Sequence, residues 1–267
     1  MRPSIPKACL MTHRRFFVEQ VDPAGKQALL TDQTAHHAKN VLRLKPGDSV
    51  EVLDGLGNGW SGVIDEMSEK GVRVRLMASL HPAAESFLEV TLGMALARGD
   101  RMDLVVRQAT EIGVTRFMVF PATRSSYGLS TSQQGRRRDR WLKIAREAMC
   151  QCGRMFSPEV HVCGDFSGFL RQSGRLLNEE SQVLRIFASE NESRGNILSV
   201  WQACPIYRQV LAVVGPEGGW TAAEVEAFLS SGFQPVRLGP RILRFETAAT
   251  VLLTSVQTLW GDFGQTV

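Results

Sequence analysis

The chain has 267 residues, 43% of them hydrophobic and 22% charged, with a formal net charge of +4. These are ordinary globular values that exclude fibrous and disordered readings, and the length sets a prior of about two domains at roughly 150 residues each. Apolar runs such as residues 210–214 and 248–253 fall far short of the roughly 20 apolar residues of a helical membrane span.

In chain order, residues 14–80 read as short strands at 15–19, 49–53, 59–64 and 72–76, broken by Gly and Asp turns. One helix interrupts them: residues 35–44 place Ala38, Val41 and Leu42 at helical spacing, and Lys45-Pro46-Gly47-Asp48 stops it. The expected unit is a small β-barrel. Periodicity lapses over residues 81–86, where Pro82 removes a ladder donor, so the chain divides into residues 1–82 and 83–267.

Beyond that linker, apolar runs at 88–97, 116–120, 183–188, 210–214 and 236–238 alternate with amphipathic stretches at 102–112, 138–150, 223–229 and 247–259. This alternation predicts an α/β domain, a parallel sheet with helices on both faces. Ligands of such sheets settle at the carboxyl ends of the strands, which singles out the loops after Phe120, Ala188, Val214 and Leu238. Residues 125–135, rich in Ser, Thr, Gln and Gly, read as a mobile loop.

Five cysteines (Cys9, Cys150, Cys152, Cys163, Cys204) are an odd number at no framework spacing, which predicts free thiols in a reducing compartment. Pro3, Pro6 and the polar residues 12–15 interrupt any apolar leader, so the cytoplasm is the expected location. Neither the cysteines nor the five histidines show zinc spacing; no metal site is expected, and His161 reads as structural.

Charge is unevenly distributed. Residues 98–154 carry 12 basic against 5 acidic side chains, whereas residues 1–97 balance at 11 each. The densest part, Arg136, Arg137, Arg138, Arg140, Lys143 and Arg146, suits the phosphates of a nucleic acid; the competing reading is a solvated helix start. His36 and His37, with Lys39 and Arg43, pose the same choice in the first unit.

Two loops carry the strongest signals. Gly215-Pro216-Glu217-Gly218-Gly219-Trp220-Thr221 joins an apolar strand to a helix, with glycines that permit close ligand approach or positive φ. Thr221 and Glu224 form a capping box, and the loop matches neither a Walker A sequence nor a dinucleotide turn. The second loop, residues 238–249, packs Arg241, Arg244 and Glu246 between apolar segments, either as a functional cluster or as a structural Arg244–Glu246 pair.

Together these loops resemble the SPOUT superfamily of S-adenosylmethionine-dependent RNA methyltransferases, and within it the family that methylates N3 of a uridine in bacterial 16S ribosomal RNA. The likeness extends through Arg14-Arg15-Phe16-Phe17, His37 with Val41-Leu42-Arg43, Gly47-Asp48, Thr110-Glu111-Ile112-Gly113-Val114, Arg124-Ser125, and Glu147-Ala148 with Gln151 and Arg154. Phe245, where the family usually has a small polar residue, and Gln108, where Lys is common, depart from it.

The resemblance implies a PUA-like N-terminal barrel, a C-terminal α/β domain tied in a trefoil knot, a homodimer, and 16S ribosomal RNA of the small subunit as partner, with uridine 1498 as target. It implies S-adenosylmethionine contacts at Ala188, Ser189 and Glu190, at Gly215, Glu217 and Gly218, and at Leu238, Gly239, Ile242, Leu243 and Ala248. Uracil N3 carries a proton at neutral pH, so its methylation needs a base or donors that stabilise the anion. Arg244 and Glu246 are the expected catalytic pair, with Glu217 a further candidate. Arg14, Arg15, Lys39, Arg43, Arg124, Arg136, Arg137, Arg138 and Arg154 are the expected RNA contacts. Three alternatives stand beside this reading. Cys150-Gln151-Cys152 could supply a nucleophile for uracil C5. The chain could act on a ribose 2′-oxygen or on transfer RNA, or serve as a non-catalytic assembly factor.

Overall fold

The computed structural model describes residues 14–81, 85–128, 130–176, 182–191, 195–204 and 206–264. Their contacts form two compact units. The first falls within Met1–Ala84 and also takes in Cys150–Phe156; the second comprises Glu85–Met149 and Ser157–Val267.

In the first unit, β1 (Arg15–Phe17), β2 (Gln20–Asp22), β3 (Gln27–Leu30), β4 (Ser49–Leu53), β5 (Gly59–Ser68) and β6 (Gly71–Ser79) form one sheet in the order β1-β4-β5-β6-β3-β2. All pairs are antiparallel except β1 with β4. Strict alternation sets the faces: Val72, Val74 and Leu76 are buried with Phe16, Leu30, Val52 and Ile64, while Arg73 and Arg75 point outward. The helix expected at 35–44 begins earlier, as α1 (Asp32–His36), and widens into a π-helical turn over His37–Val41. The wider turn keeps Ala35 and Ala38 in the core but leaves Val41 60% exposed, so the expected apolar face is not realised. Arg43 then takes a left-handed conformation at φ +52°. Residues 150–156 join this unit through the main chain, Gly57 N donating to Met155 O at 3.1 Å, a return that a single linear boundary does not foresee.

The second unit contains β7 (Glu89–Ala95), α2 (Arg101–Glu111), β8 (Val114–Phe120), α3 (Thr131–Cys152), β9 (Glu159–Val162), α4 (Phe166–Leu176), β10 (Val183–Ala188), α5 (Ile197–Ala203), β11 (Gln209–Val214), α6 (Ala222–Ser230), β12 (Gln234–Val236) and α7 (Phe245–Trp260). The last turn of α3 belongs to the first unit. Six strands pair in the order β12-β10-β11-β7-β8-β9, every pair parallel. Both faces of the sheet are covered, which is why its strands read as continuous apolar runs. Val210, Ala212 and Val214 face a core shared with α2 and α7. Leu211 and Val213 face the opposite core, where Phe120, Phe169, Phe187, Phe228 and Trp220 cluster. The supposed loop at 125–135 ends early, since α3 already begins at Thr131.

Candidate active site

Because all six strands are parallel, the segments leaving β7, β8, β10, β11 and β12 emerge at one edge of the sheet. Every expected residue of the catalytic and cofactor sets lies on or beside these segments.

The loop after β11 is fixed from three sides. Thr221 and Glu224 form the expected capping box: Glu224 N donates to Thr221 Oγ1 at 3.2 Å, and Thr221 N donates to Glu224 Oε2 at 2.9 Å. Glu224 is only 3% exposed, and its other oxygen accepts from Thr123 N at 2.8 Å. Burial alone would raise its carboxyl, but the donors from Thr123 and Thr221 outweigh that and hold it below the usual carboxylate range. Trp220 Nε1 donates to Ala188 O at 2.9 Å and Arg124 Nη1 to Gly218 O at 2.9 Å, so the loops after β8, β10 and β11 are joined.

The glycines of this loop answer to the chain's own side chains. A Cβ on Gly215 would lie 2.8 Å from Trp220 Cε2, and one on Gly218 would lie 3.0 Å from Arg124 Cβ; Gly219 has φ +69°. Close ligand approach is therefore not needed to explain any of the three.

Arg101, at the first position of α2, brings the acids together. Its Nη1 donates to Glu217 Oε1 at 2.5 Å, and its Nε lies 3.9 Å from Glu246 Oε2. That Glu246 oxygen is buried and has no hydrogen-bond partner among the described residues. Arg244 is the exposed N-cap residue of α7, and among the described residues the cation that meets Glu246 is Arg101, so the Arg244–Glu246 pair weighed from sequence is not formed. Sequence reasoning missed Arg101 because it weighed the loops after four strands and passed over the one after residue 97. Tyr127 closes this side, its hydroxyl donating to Ala97 O at 3.1 Å; burial pushes its phenol up, so it keeps its proton.

Ala188, Ser189, Leu238, Leu243 and Ala248 are half-buried around this edge, while Glu190 and Gly239 are exposed and Ile242 is 84% exposed. Phe245 is buried in the core and seats the start of α7, and Gln108 Oε1 accepts from Thr250 Oγ1 at 3.1 Å. Both departures thus have structural roles. Cys163 and Cys204 are free thiols, Cys152 is half-buried, and Cys9 lies outside the described residues. Cys150 is buried, and burial pushes the Cys163 thiol up to about 11, far from a reactive thiolate. His161 packs into a structural contact, with Nε2 2.9 Å from Glu159 Oε2. Among the described residues, no cluster of three potential metal ligands occurs and no helix is long and apolar enough to cross a membrane.

A family model described as RNA methyltransferase domain matches residues 84–257, and one described as RNA methyltransferase PUA domain matches residues 30–77. A ribosomal RNA small subunit methyltransferase E of Synechocystis is 33% identical over 230 residues, covering 86% of this chain and 72% of that protein. The chain belongs to the ribosomal RNA small subunit methyltransferase E family. A Bacillus subtilis member of the family is 30% identical over 250 residues, covering 91% of this chain and 95% of its own. The Neisseria gonorrhoeae member, solved bound to S-adenosylmethionine, matches with a TM-score of 0.81 at 29% identity over 94% of this chain and 99% of that one. The glycine loop and the start of α7 both fall inside the matched methyltransferase domain.

The basic residues expected to meet the family's RNA substrate divide in two. Arg43 and Arg136 are exposed, Arg14 and Arg138 are exposed but lie 3.7 Å from Asp48 and 3.1 Å from Asp139, and Arg137 is half-buried. Others are engaged within the protein: Arg15 Nε donates to Glu51 at 2.7 Å, Lys39 Nζ to Ser68 O at 2.5 Å, and Arg124 to Gly218 O. Arg154 is 3% exposed, and this burial removes it from the surface a phosphate can reach.

Proposed function

We propose that this chain methylates N3 of a single uridine of 16S ribosomal RNA in the small ribosomal subunit, uridine 1498 of the decoding region, with S-adenosylmethionine as methyl donor. The observation that carries the reading is Glu246, a carboxylate 20% exposed at the strand-end edge and within 3.9 Å of the Arg101 guanidinium. Uracil N3–H is a donor, and this carboxylate can accept from it. The strand-end loops fit the cofactor's chemistry: the exposed carboxylate of Glu190 complements a cation, and Ile242 and Leu243 offer an apolar wall. When bound, the cofactor supplies a methyl carbon already activated by a sulfonium. The loop after β10 (Ala188 to Glu190), the glycine loop and the loop before α7 would hold it. Glu246 receives the N3 proton, and Arg244, free at the start of α7, reaches outward to orient the base.

The resemblance further supports a knotted C-terminal domain, a homodimer and a cytoplasmic location. Exposed Leu104 on α2 and Val251 on α7 supply apolar surface for a second copy. The test is to incubate the protein and labelled S-adenosylmethionine with small subunits lacking base methylation, then map the label by nuclease digestion and mass spectrometry. Label on N3 of one 16S uridine is expected; label on a ribose oxygen or another base overturns the reading.

A further inference from the structure

Arg101 belongs to none of the motifs that mark the site, yet it alone among the described residues faces both Glu217 and Glu246. A structural role accounts for it poorly. A cation in the first turn of α2 opposes that helix's own dipole. Its side chain is 42% exposed, and an ion pair so open to water adds little stability. Asp103, the acid in the first turn of the same helix, is already committed to Arg140 and Trp141.

The pairing edge of uracil presents one donor, N3–H, between two carbonyl acceptors. The Glu246 carboxylate, its side chain 20% exposed, offers the acceptor, and Arg101 offers N–H donors beside it. We propose that Arg101 is a catalytic residue that donates to a uracil carbonyl next to N3 while Glu246 takes the N3 proton. This rests on the uridine-N3 reading above.

The proton leaves N3 for Glu246, and the negative charge that spreads onto the flanking carbonyl oxygen meets the guanidinium. The electron pair left on N3 forms the new N–C bond, and the pair of the broken C–S bond stays on sulfur. Glu217 holds the guanidinium in place before the base arrives. The same site rejects cytosine, whose N3 has no proton and would face the Glu246 carboxylate acceptor to acceptor.

The test measures kcat and KM for undermethylated small subunits across pH, with cofactor affinity by calorimetry, for the unaltered protein, Arg101→Ala, Arg101→Gln and Arg101→Lys. Arg101→Ala is expected to lower kcat by about 10²- to 10³-fold. Cofactor affinity should hold, and the rising limb of the pH profile should move to higher pH, because N3 must then ionise without help. Arg101→Gln should behave alike, which covers the case of a poorly folded alanine variant, and Arg101→Lys should recover part of the rate through charge alone. Subunits carrying cytidine at the target should take no label. A kcat near that of the unaltered protein in the alanine or glutamine variant overturns the proposal. So does a loss confined to cofactor affinity with an unmoved pH limb. Label at an atom other than N3 with the unaltered protein defeats the underlying reading instead, whatever the variants do.

Discussion

Arg244 and Glu246 stand two residues apart at the start of α7, yet they meet different surroundings. Glu246 turns inward and leaves one carboxylate oxygen buried without a donor among the described residues, whereas Arg244 is exposed with no cap hydrogen bond. Their loss should therefore be read differently. Glu246→Gln keeps the size but removes the proton acceptor, and kcat should fall by about 10²- to 10⁴-fold, the usual contribution of a positioned acid or base. Arg244→Ala should also lower turnover while leaving cofactor affinity, measured by calorimetry, unchanged; equal activity in that variant would remove it from the mechanism. Glu246, Glu217 and Arg244 were legible in the sequence because charged residues crowded into short loops between apolar strands are conspicuous. Arg101 was not, because its partner Glu217 is 116 residues away and only the parallel sheet brings their loops to one edge.

The capping box at the start of α6 is a local pattern, and local patterns transfer well: Thr221 and Glu224 pair as their spacing predicts. What spacing cannot convey is that the same carboxylate also accepts from Thr123 N, so one side chain both starts a helix and holds the loop after β8. Glu224→Gln should cost about 1 to 2 kcal/mol at neutral pH, the range for a cap and a buried hydrogen bond. The melting temperature should drop by about 2 to 4 °C per kcal/mol for a chain of this size. The sign with pH follows from the carboxyl being held below its ordinary range. Its stabilisation is fully present above the unfolded pKa of about 4.3 and is lost as pH falls through the lower folded value. Melting curves of the two proteins should therefore converge in acid; a constant gap would show that the charge on Glu224 is not what stabilises. Elements with weak local signals were the ones missed. Edge strand β9 has only four half-buried or exposed residues, and α4 carries two glycines that lower helix propensity and is held by the burial of Phe169.

At the scale of the whole molecule, the alternation of apolar and amphipathic runs was enough to foresee a parallel sheet, and period-2 strands foresaw the smaller unit. The return of residues 150–156 to the first unit was not foreseeable, since it depends on where a 22-residue helix ends in space. Charge shows the same division between what composition shows and what folding decides. The sequence shows where the basic side chains of residues 98–154 crowd but not which are free, and folding engages Arg101 with Glu217, Arg116 with Glu159, Arg124 with Gly218 and Arg140 with Asp103, and it buries Arg154. Arg136 and Arg138 stay exposed near the start of α3, where Arg138 pairs with the exposed Asp139. If these two neutralise phosphates, Arg136→Ala/Arg138→Ala should weaken ribosomal RNA binding and flatten its dependence on salt. Each phosphate left without its cation should lower the slope of log affinity against log salt by about 0.7 to 0.9. Filter binding across a salt series reads the slope, and calorimetry should find cofactor affinity unaltered, because neither arginine touches the strand-end loops. A slope equal to that of the unaltered protein would assign the phosphates to other cations, with Arg14 and Arg43 of the first unit the next to replace.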